Sequence, residues 1–157
     1  MKRILLYIVL LCLALVVPVA RADVGKLCPI ETVVVYKEND QAVIRTDTGD
    51  MGSGATAMQA LRNMKDTANG IIYLDTARYL LIQEGAEEAA EELRQVLKGK
   101  VMVCLACGEI KPQDATKYLS VHGDLPRMNN WKQGQKLPVL MPFGKDEIIL
   151  KKVENNA

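Results

Sequence analysis

Aromatic residues are scarce in this sequence, which has one Trp, one Phe and five Tyr. Its hydrophobic core must therefore be built from Val, Leu, Ile, Ala and Met. A basic cluster is also missing, and the formal net charge of the 157 residues is only +1. A nearly neutral chain of this kind lacks the electrostatic surface by which proteins bind nucleic acids. We expect no nucleic-acid partner.

Metal ligands and phosphate-binding motifs are missing as well. His122 is the only histidine, and there is no second C-x-x-C pair, so the Cys and His residues are too few for a typical structural zinc site. The glycines of residues 49–54 precede a predicted helix, but their spacing matches neither a dinucleotide motif nor a P-loop, which also needs Lys-Ser/Thr. We predict neither a metal nor a cofactor.

The first 22 residues are typical of a secretory signal peptide. They begin with Lys2-Arg3, continue with an almost wholly apolar run over residues 4–17, and end in a small-x-small cleavage site at residues 20–22. An uncleaved anchor is the alternative, but the apolar run is shorter than the roughly 20 residues that a spanning helix prefers. We predict an exported protein, periplasmic or extracellular, without a stable membrane span after cleavage.

Cleavage would leave residues 23–157 as a single α/β domain with 17 basic and 19 acidic residues, a net charge of −2. Three cysteines would remain, at Cys28, Cys104 and Cys107. Thiols outside the cytosol tend to be oxidised, and an odd number leaves at least one thiol free or paired with another molecule. Cys104 and Cys107 form the obvious local pair, and the role of Cys28 stays open.

A β-hairpin is predicted near the start of the mature chain, because strand-like runs at residues 31–36 and 41–46 flank a turn signal at residues 38–40. Apolar residues at helical spacing and helix-start signals predict helices over residues 55–66, 84–97 and 112–119. Composition predicts a flexible loop at 48–54, a strand at 71–74, an irregular stretch at 120–136, and strands at 137–141 and 147–151. Residues 75–82 fit either a short helical turn or a continuation of the preceding strand, and we favour the turn because Asp75 can cap it.

Residues 100–108 organise the predicted fold. They form a short apolar, β-branched run that ends in Cys104-Leu-Ala-Cys107, which is typical of a buried central strand. Strands that alternate with helices indicate a mainly parallel sheet with helices on both faces. A C-x-x-C at the carboxyl end of a central strand places two thiols where open α/β sheets present their reactive groups.

The thiol pair suits redox or sulfur chemistry, because a thiolate can attack a disulfide or carry a persulfide. Alternatively, Cys104 only packs in its strand and Cys107 has no role. Lys111 could stabilise a thiolate, and His122 could serve as its base or proton donor. Loop residues of both types are more often simply exposed.

The segment Gly52-Ser53-Gly54 is a further candidate binding site. Glycines before a helix can offer backbone N–H groups to an anion, and loops that follow strands gather on one edge of an α/β sheet. This loop would then border the thiol pocket. The alternative is a plain strand-to-helix turn.

At residues 101–107, Val-Met-Val-Cys-Leu-Ala-Cys, the chain resembles the DsrE/DsrF-like family of small sulfur-relay proteins. In that family a Val-x-Val-Cys strand, often with Cys-x-x-Cys, is followed by Arg-Gly and a helix. The order of elements before the strand is also similar, and the resemblance covers roughly residues 43–119. Lys111-Pro112 stands where the Arg-Gly of the family would fall.

The resemblance implies a flavodoxin-like, three-layer sandwich with a mainly parallel sheet, frequently assembled as a homo-oligomer. This chain would add an N-terminal hairpin and C-terminal strands to it. The resemblance also implies that the sulfur-accepting cysteine is Cys104, with Cys107 as a possible partner.

Two hypotheses for function follow. In the first, an exported thiol protein accepts sulfane sulfur or electrons at Cys104 from a sulfur- or thiol-bearing partner protein or small molecule, with Cys107 as the resolving thiol. It would be a carrier or accessory rather than a turnover enzyme, because no further acid–base group is evident. In the second, an exported binding module contains a structural Cys104–Cys107 disulfide. A thioredoxin-like oxidoreductase is disfavoured, because the C-x-x-C ends a strand instead of starting a long helix.

Overall fold

A computed structural model of the chain describes residues 24–143 and 147–152. The predicted signal peptide and the turn between the last two strands lie outside these residues. Within the described part of the chain, no helix is both long and apolar enough to span a membrane.

The described residues form nine strands and three α-helices, with single 3-10 turns at Val24–Lys26 and Leu74–Thr76. In chain order they are β1 (Leu27–Pro29), β2 (Thr32–Glu38), β3 (Gln41–Thr46), β4 (Met51–Gly54), α1 (Ala57–Thr67), β5 (Ile71–Tyr73), β6 (Tyr79–Gln83), α2 (Glu87–Leu93), β7 (Met102–Ala106), α3 (Pro112–His122), β8 (Val139–Phe143) and β9 (Glu147–Lys151).

Seven of these strands form one mixed sheet in the order β4-β3-β2-β6-β7-β8-β9. The four central strands β2, β6, β7 and β8 run parallel, whereas β3, β4 and β9 are antiparallel to their neighbours. β1 and β5 pair in a small parallel sheet of their own. The predicted α/β class is confirmed.

The buried side chains form two clusters, and successive strand residues alternate between them. In β7, Val103 belongs to the cluster that contains the buried residues of α1 and α2. Cys104 and Ala106 belong to the second cluster, with Ala115 and Leu119 of α3. The cysteine strand therefore lies in the core, as its sequence predicts.

Residues 79–83 are a central strand, so the helical turn predicted within residues 75–82 is wrong for most of that range. The turn is limited to Leu74–Thr76, and β6 lies between β2 and β7. Four of the five residues of β6 are buried. A continuous apolar run suits a parallel strand that is covered on both faces, but a run this short does not distinguish strand from helix by its periodicity.

α2 is shorter than the helix predicted over residues 84–97. Gly85 has φ +81, a left-handed conformation outside the helical region, so the helix begins only at Glu87. At the other end, the guanidinium of Arg94 donates to the carbonyl oxygen of Trp131 at 2.8 Å and to that of Met128. These bonds attach the irregular stretch after α3 to the end of α2.

Residues 51–54 form an edge strand, so the flexible loop predicted at residues 48–54 is wrong there. β4 pairs antiparallel with β3, and Gly52 and Gly54 are buried beneath α1. A Cβ atom on Gly52 would lie 2.6 Å from the backbone nitrogen of Met64 and closer still to the carbonyl oxygen of Ala60. The glycines are there because the backbone of α1 lies directly on this strand.

The predicted hairpin is confirmed as β2–β3, and its turn places Asn39 and Asp40 at positive φ. α3 begins at Pro112 as predicted. β5 is confirmed as a strand, but it pairs with β1, a strand that the sequence did not predict. β8 includes Pro142 and Phe143, which we expected in the following turn.

Candidate functional site

Cys107 lies at the carboxyl edge of the parallel strands. Its backbone N–H donates to the carbonyl oxygen of Leu140 at 2.8 Å, which extends the pairing of β7 with β8 by one residue. Gly108 follows with φ +81 and turns the chain away from the sheet. Glycine adopts this left-handed conformation without steric cost. The turn leaves Cys107 exposed as a free thiol.

A cavity of about 740 Å³ lies beside this thiol. The β2–β3 hairpin supplies one wall, and the ends of β6 and β7 with the start of α2 supply the others. The side-chain amide of Gln83 donates a hydrogen bond to the carbonyl oxygen of Gly108 at 3.3 Å, which joins the end of β6 to the turn after Cys107. Five strands thus contribute residues to one concave site at the edge where α/β sheets usually bind ligands.

The charge of the cavity is mostly negative. Among the described residues that line it, the acidic side chains are Glu38, Glu84, Glu87 and Glu109, and the basic one is Arg45. The formal net charge around Cys107 is therefore −3. Such a surface attracts cations and repels anions, most strongly at low ionic strength.

Tyr36 supplies a neutral polar group to the same cavity. Burial is the main cause that raises the pKa of its hydroxyl above the ordinary value; Glu38 and Glu109 raise it further, and Arg45 opposes them. The phenol therefore keeps its proton at neutral pH. Its hydroxyl donates to the sulfur of Met51 at 3.7 Å.

Cys104 is buried, whereas Cys107 is exposed. The side chain of Cys104 has no exposed surface and packs in the cluster beneath α3. This burial raises the pKa of the Cys104 thiol to about 12, because a thiolate would lose its hydration there. Since the thiolate is the nucleophile, Cys104 is poorly suited to attack a sulfur donor.

The structure does not bring the two thiols together. The chain from Cys104 to Cys107 is extended, and residues three apart in a strand have Cα atoms separated by roughly 10 Å. A disulfide needs a Cα separation of about 4.4–6.8 Å. A Cys104–Cys107 disulfide therefore does not fit this strand, and both cysteines are free.

Alkaline pH is expected to remove a stabilising contribution of Cys104. The folded-state pKa of about 12 lies above the ordinary value of 9.0, so the contribution is complete below pH 9 and decreases as the pH rises toward 12. The stability difference between the wild type and Cys104→Ala should shift against the wild type by about 1.4 kcal/mol between about pH 8 and pH 10. Urea unfolding of both proteins measures it, and a constant difference would contradict the prediction.

Two other predicted site residues, Lys111 and His122, do not line the cavity beside Cys107. Lys111 is exposed at the start of α3 and does not line the cavity. His122 is at the opposite end of this helix, about 16 Å away along its axis. Its ring stacks on Tyr118, with ring centroids 4.5 Å apart. The structure therefore does not bring His122 to the thiol.

The segment Gly52-Ser53-Gly54 is also remote from the thiols. It belongs to β4, which is separated from β7 by three strands, or about 19 Å at the usual strand spacing. Its two glycines face α1, and the carbonyl oxygen of Ser53 accepts a hydrogen bond from the side-chain amide of Asn63 at 2.7 Å. These contacts account for the glycines without a ligand.

Cys28 lies in β1, ahead of the start of β2, whereas Cys107 lies beyond the end of β7. Because β2 and β7 run parallel in the same sheet, the two cysteines are at opposite edges. Cys28 is half-buried, and a Cβ atom on Gly70 would lie 2.6 Å from its sulfur. Cys28 therefore packs closely against Gly70 and does not line the cavity.

The acidic residues and Tyr36 are the part of the site that sequence reasoning missed. They come from the β2–β3 hairpin, from the end of β6 with α2, and from the turn after β7, which are distant in sequence. Only Glu109 is close enough to the C-x-x-C to be suspected from the sequence. Among the described residues, no group of three or more His, Cys, Asp and Glu side chains is arranged to bind a metal ion.

No family model, no curated protein and no solved structure matches this chain. The function of the site therefore has to be inferred from its geometry and chemistry.

Proposed function

We propose that this protein is an exported sulfur carrier of the DsrE/DsrF-like kind, which holds sulfane sulfur as a persulfide on Cys107. The observation that carries the proposal is an exposed thiol beside a cavity of about 740 Å³ at the end of a central parallel strand. Exposure lets a thiol meet a sulfur donor, whereas a buried structural cysteine is inert.

A three-layer, DsrE-like fold is part of the proposal. It is supported by the parallel centre of the sheet and by the division of the buried residues into two clusters, one with α1 and α2 and one with α3. The antiparallel strands β3 and β4 extend this arrangement at one edge of the sheet, and β9 extends it at the other.

The roles of the two cysteines are exchanged relative to the family pattern. That pattern places the accepting thiol at Cys104, which is buried here and has a raised pKa. Cys107 is exposed and borders the cavity. We therefore assign sulfur transfer to Cys107, and we assign Cys104 to the packing of the core beneath α3.

The transfer is a nucleophilic displacement between sulfur atoms. The Cys107 thiolate attacks the outer sulfur of a donor persulfide and forms a new S–S bond. The S–S bond of the donor breaks, and its electron pair leaves with the donor thiolate. The same step in reverse passes the sulfur to an acceptor thiol, so no separate oxidant or reductant is consumed.

A carrier fits this site better than a turnover enzyme. Cys107 has no histidine near it within the described residues, because His122 is at the far end of α3. The phenol of Tyr36 is kept neutral by a raised pKa, so it can donate a hydrogen bond but is a weak base. With one exposed thiol and no histidine beside it among the described residues, the site is suited to reversible exchange between thiols.

Sulfur loading tests the proposal directly. After treatment with inorganic polysulfide at high ionic strength, which screens the charge of the cavity, the intact protein should gain the mass of one sulfur atom at Cys107. Cyanide should then remove this sulfur as thiocyanate and restore the thiol. The variant Cys107→Ser should lose the cyanide-labile sulfur at this position.

The matched controls are Cys104→Ala and Cys28→Ser, which should both load normally if they remain folded. Circular dichroism checks the fold of each variant. Loading that maps to Cys104, or that persists unchanged in Cys107→Ser, would refute the assignment.

A further inference from the structure

We propose that the sulfur partner of Cys107 is a cysteine on a basic segment of another protein, and not a small anionic sulfur compound. This inference deepens the sulfur-carrier proposal and rests on it for the identity of the reaction. The charge, size and surroundings of the cavity each support it.

The charge of the cavity opposes small anionic sulfur compounds, whether donors or acceptors. Thiosulfate, a sulfur donor, and hydrosulfide and glutathione, which act as acceptors, are anions at neutral pH, and the carboxylates that line the cavity outnumber the guanidinium of Arg45 by four to one. Arg45 is the single basic side chain among the described residues that line the cavity. An anion that reaches Cys107 must therefore enter a negative field, whereas Lys and Arg side chains would be attracted to it.

The size of the cavity is sufficient for a short peptide segment. A volume of about 740 Å³ falls in the range of sites that hold drug-sized molecules. It is far larger than hydrosulfide or a persulfide sulfur needs. A short segment that presents one cysteine and neighbouring basic side chains would use this space.

An apolar strip continues from the cavity across the end of the sheet. Leu105 and Val139 line the cavity and are register partners in β7 and β8. Met141 and Phe143 follow Val139 on the same face of β8, and Ile149 is paired with Met141. Phe143 is 59% exposed and Ile149 is 37% exposed. This strip gives apolar residues of the docked segment a surface on which to pack.

The test uses two synthetic peptides of equal length, each with one cysteine activated as a 2-pyridyl disulfide and followed by Leu. In one peptide the cysteine is flanked by lysines, and in the other by glutamates. The Cys107 thiolate attacks the peptide sulfur, a mixed disulfide forms, and 2-thiopyridone leaves and is measured by absorbance. In the Cys28→Ser protein at low salt, the lysine peptide should react at least about tenfold faster than the glutamate peptide.

The variant Glu84→Gln/Glu109→Gln should reduce this ratio, and high salt should reduce it in the parent protein. Asp66→Asn/Asp124→Asn removes two exposed carboxylates outside the cavity and should leave the ratio unchanged. Phe143→Ser should slow the lysine peptide severalfold while the rate with neutral iodoacetamide stays constant. Equal rates for the two peptides would overturn the charge argument, and an unaffected Phe143→Ser variant would overturn docking on the strip.

The outcomes separate this inference from the sulfur-carrier proposal. Disulfide exchange with the peptides needs only the Cys107 thiol and the cavity, so charge selection can be observed even if Cys107 takes up no sulfane sulfur. Conversely, sulfur loading at high ionic strength can succeed even if the peptides react equally.

Discussion

Neutral iodoacetamide is expected to alkylate Cys107 at least about a thousandfold faster than Cys104 in the folded protein. The two side chains are three residues apart, but one is exposed and the other has no exposed surface. Reagent can reach Cys104 only when the structure opens. An opening that costs about 4 kcal/mol is populated to roughly one part in a thousand, and core strands usually need more.

The raised pKa of Cys104 acts in the same direction. Burial raises it to about 12, so even a thiol that gained brief access without unfolding would be almost entirely protonated at neutral pH. Quantitative mass spectrometry of the cysteine peptides over a time course measures both rates in one sample. In urea the thiols should react at similar rates, which shows that the folded structure is the cause.

Half-buried Cys28 provides an internal reference and should react at an intermediate rate. Comparable rates for Cys104 and Cys107 without denaturant would mean that the end of β7 opens readily. In that case the separate roles assigned to the two cysteines would have to be abandoned.

Gly52→Ala is expected to destabilise the protein by about 3 kcal/mol, at the upper end of the range for overpacked sites. The added methyl group would contact backbone atoms of Ala60 and Met64 in α1, which cannot rotate away as the end of a side chain could. α1 would have to move off β4, and the packing between them would be lost. The midpoint of thermal unfolding should fall by roughly 10 °C.

Ser53→Ala is the matched control, because Ser53 lies between the two glycines of β4 and is exposed. Its free energy of unfolding should stay within about 0.5 kcal/mol of the wild type. Urea unfolding of both variants, monitored by circular dichroism, measures the difference. A Gly52→Ala protein as stable as Ser53→Ala would show that α1 does not lie on this strand as described.

The glycines also show why a local pattern misled the sequence prediction. Gly-x-Gly before a helix is typical of both an exposed turn and a strand that lies under a helix, and the composition is the same in the two cases. The distinction depends on the distance between α1 and β4, which is less than a Cβ atom allows. That distance is a property of the packed molecule.

The sequence likewise predicted only part of the candidate site. The sequence placed the C-x-x-C correctly at the end of a buried strand, because an apolar β-branched run and a following glycine are local signals. It did not separate the roles of Cys104 and Cys107, since the exposure of each thiol depends on where the strand ends and on what covers it. Here Gly108 sets that end and leaves Cys107 exposed.

The sequence by itself determined the α/β class, the β2–β3 hairpin, the central cysteine strand and the start of α3 at Pro112. All of these depend on interactions between residues that are close in the chain. Only the tertiary structure decided that residues 79–83 form a central strand, that β4 lies beneath α1, and that four carboxylates line the cavity beside Cys107. The physical reason is that parallel strands bring their carboxyl ends to one edge, so that the cavity is formed by residues between 34 and 139 that no local pattern connects.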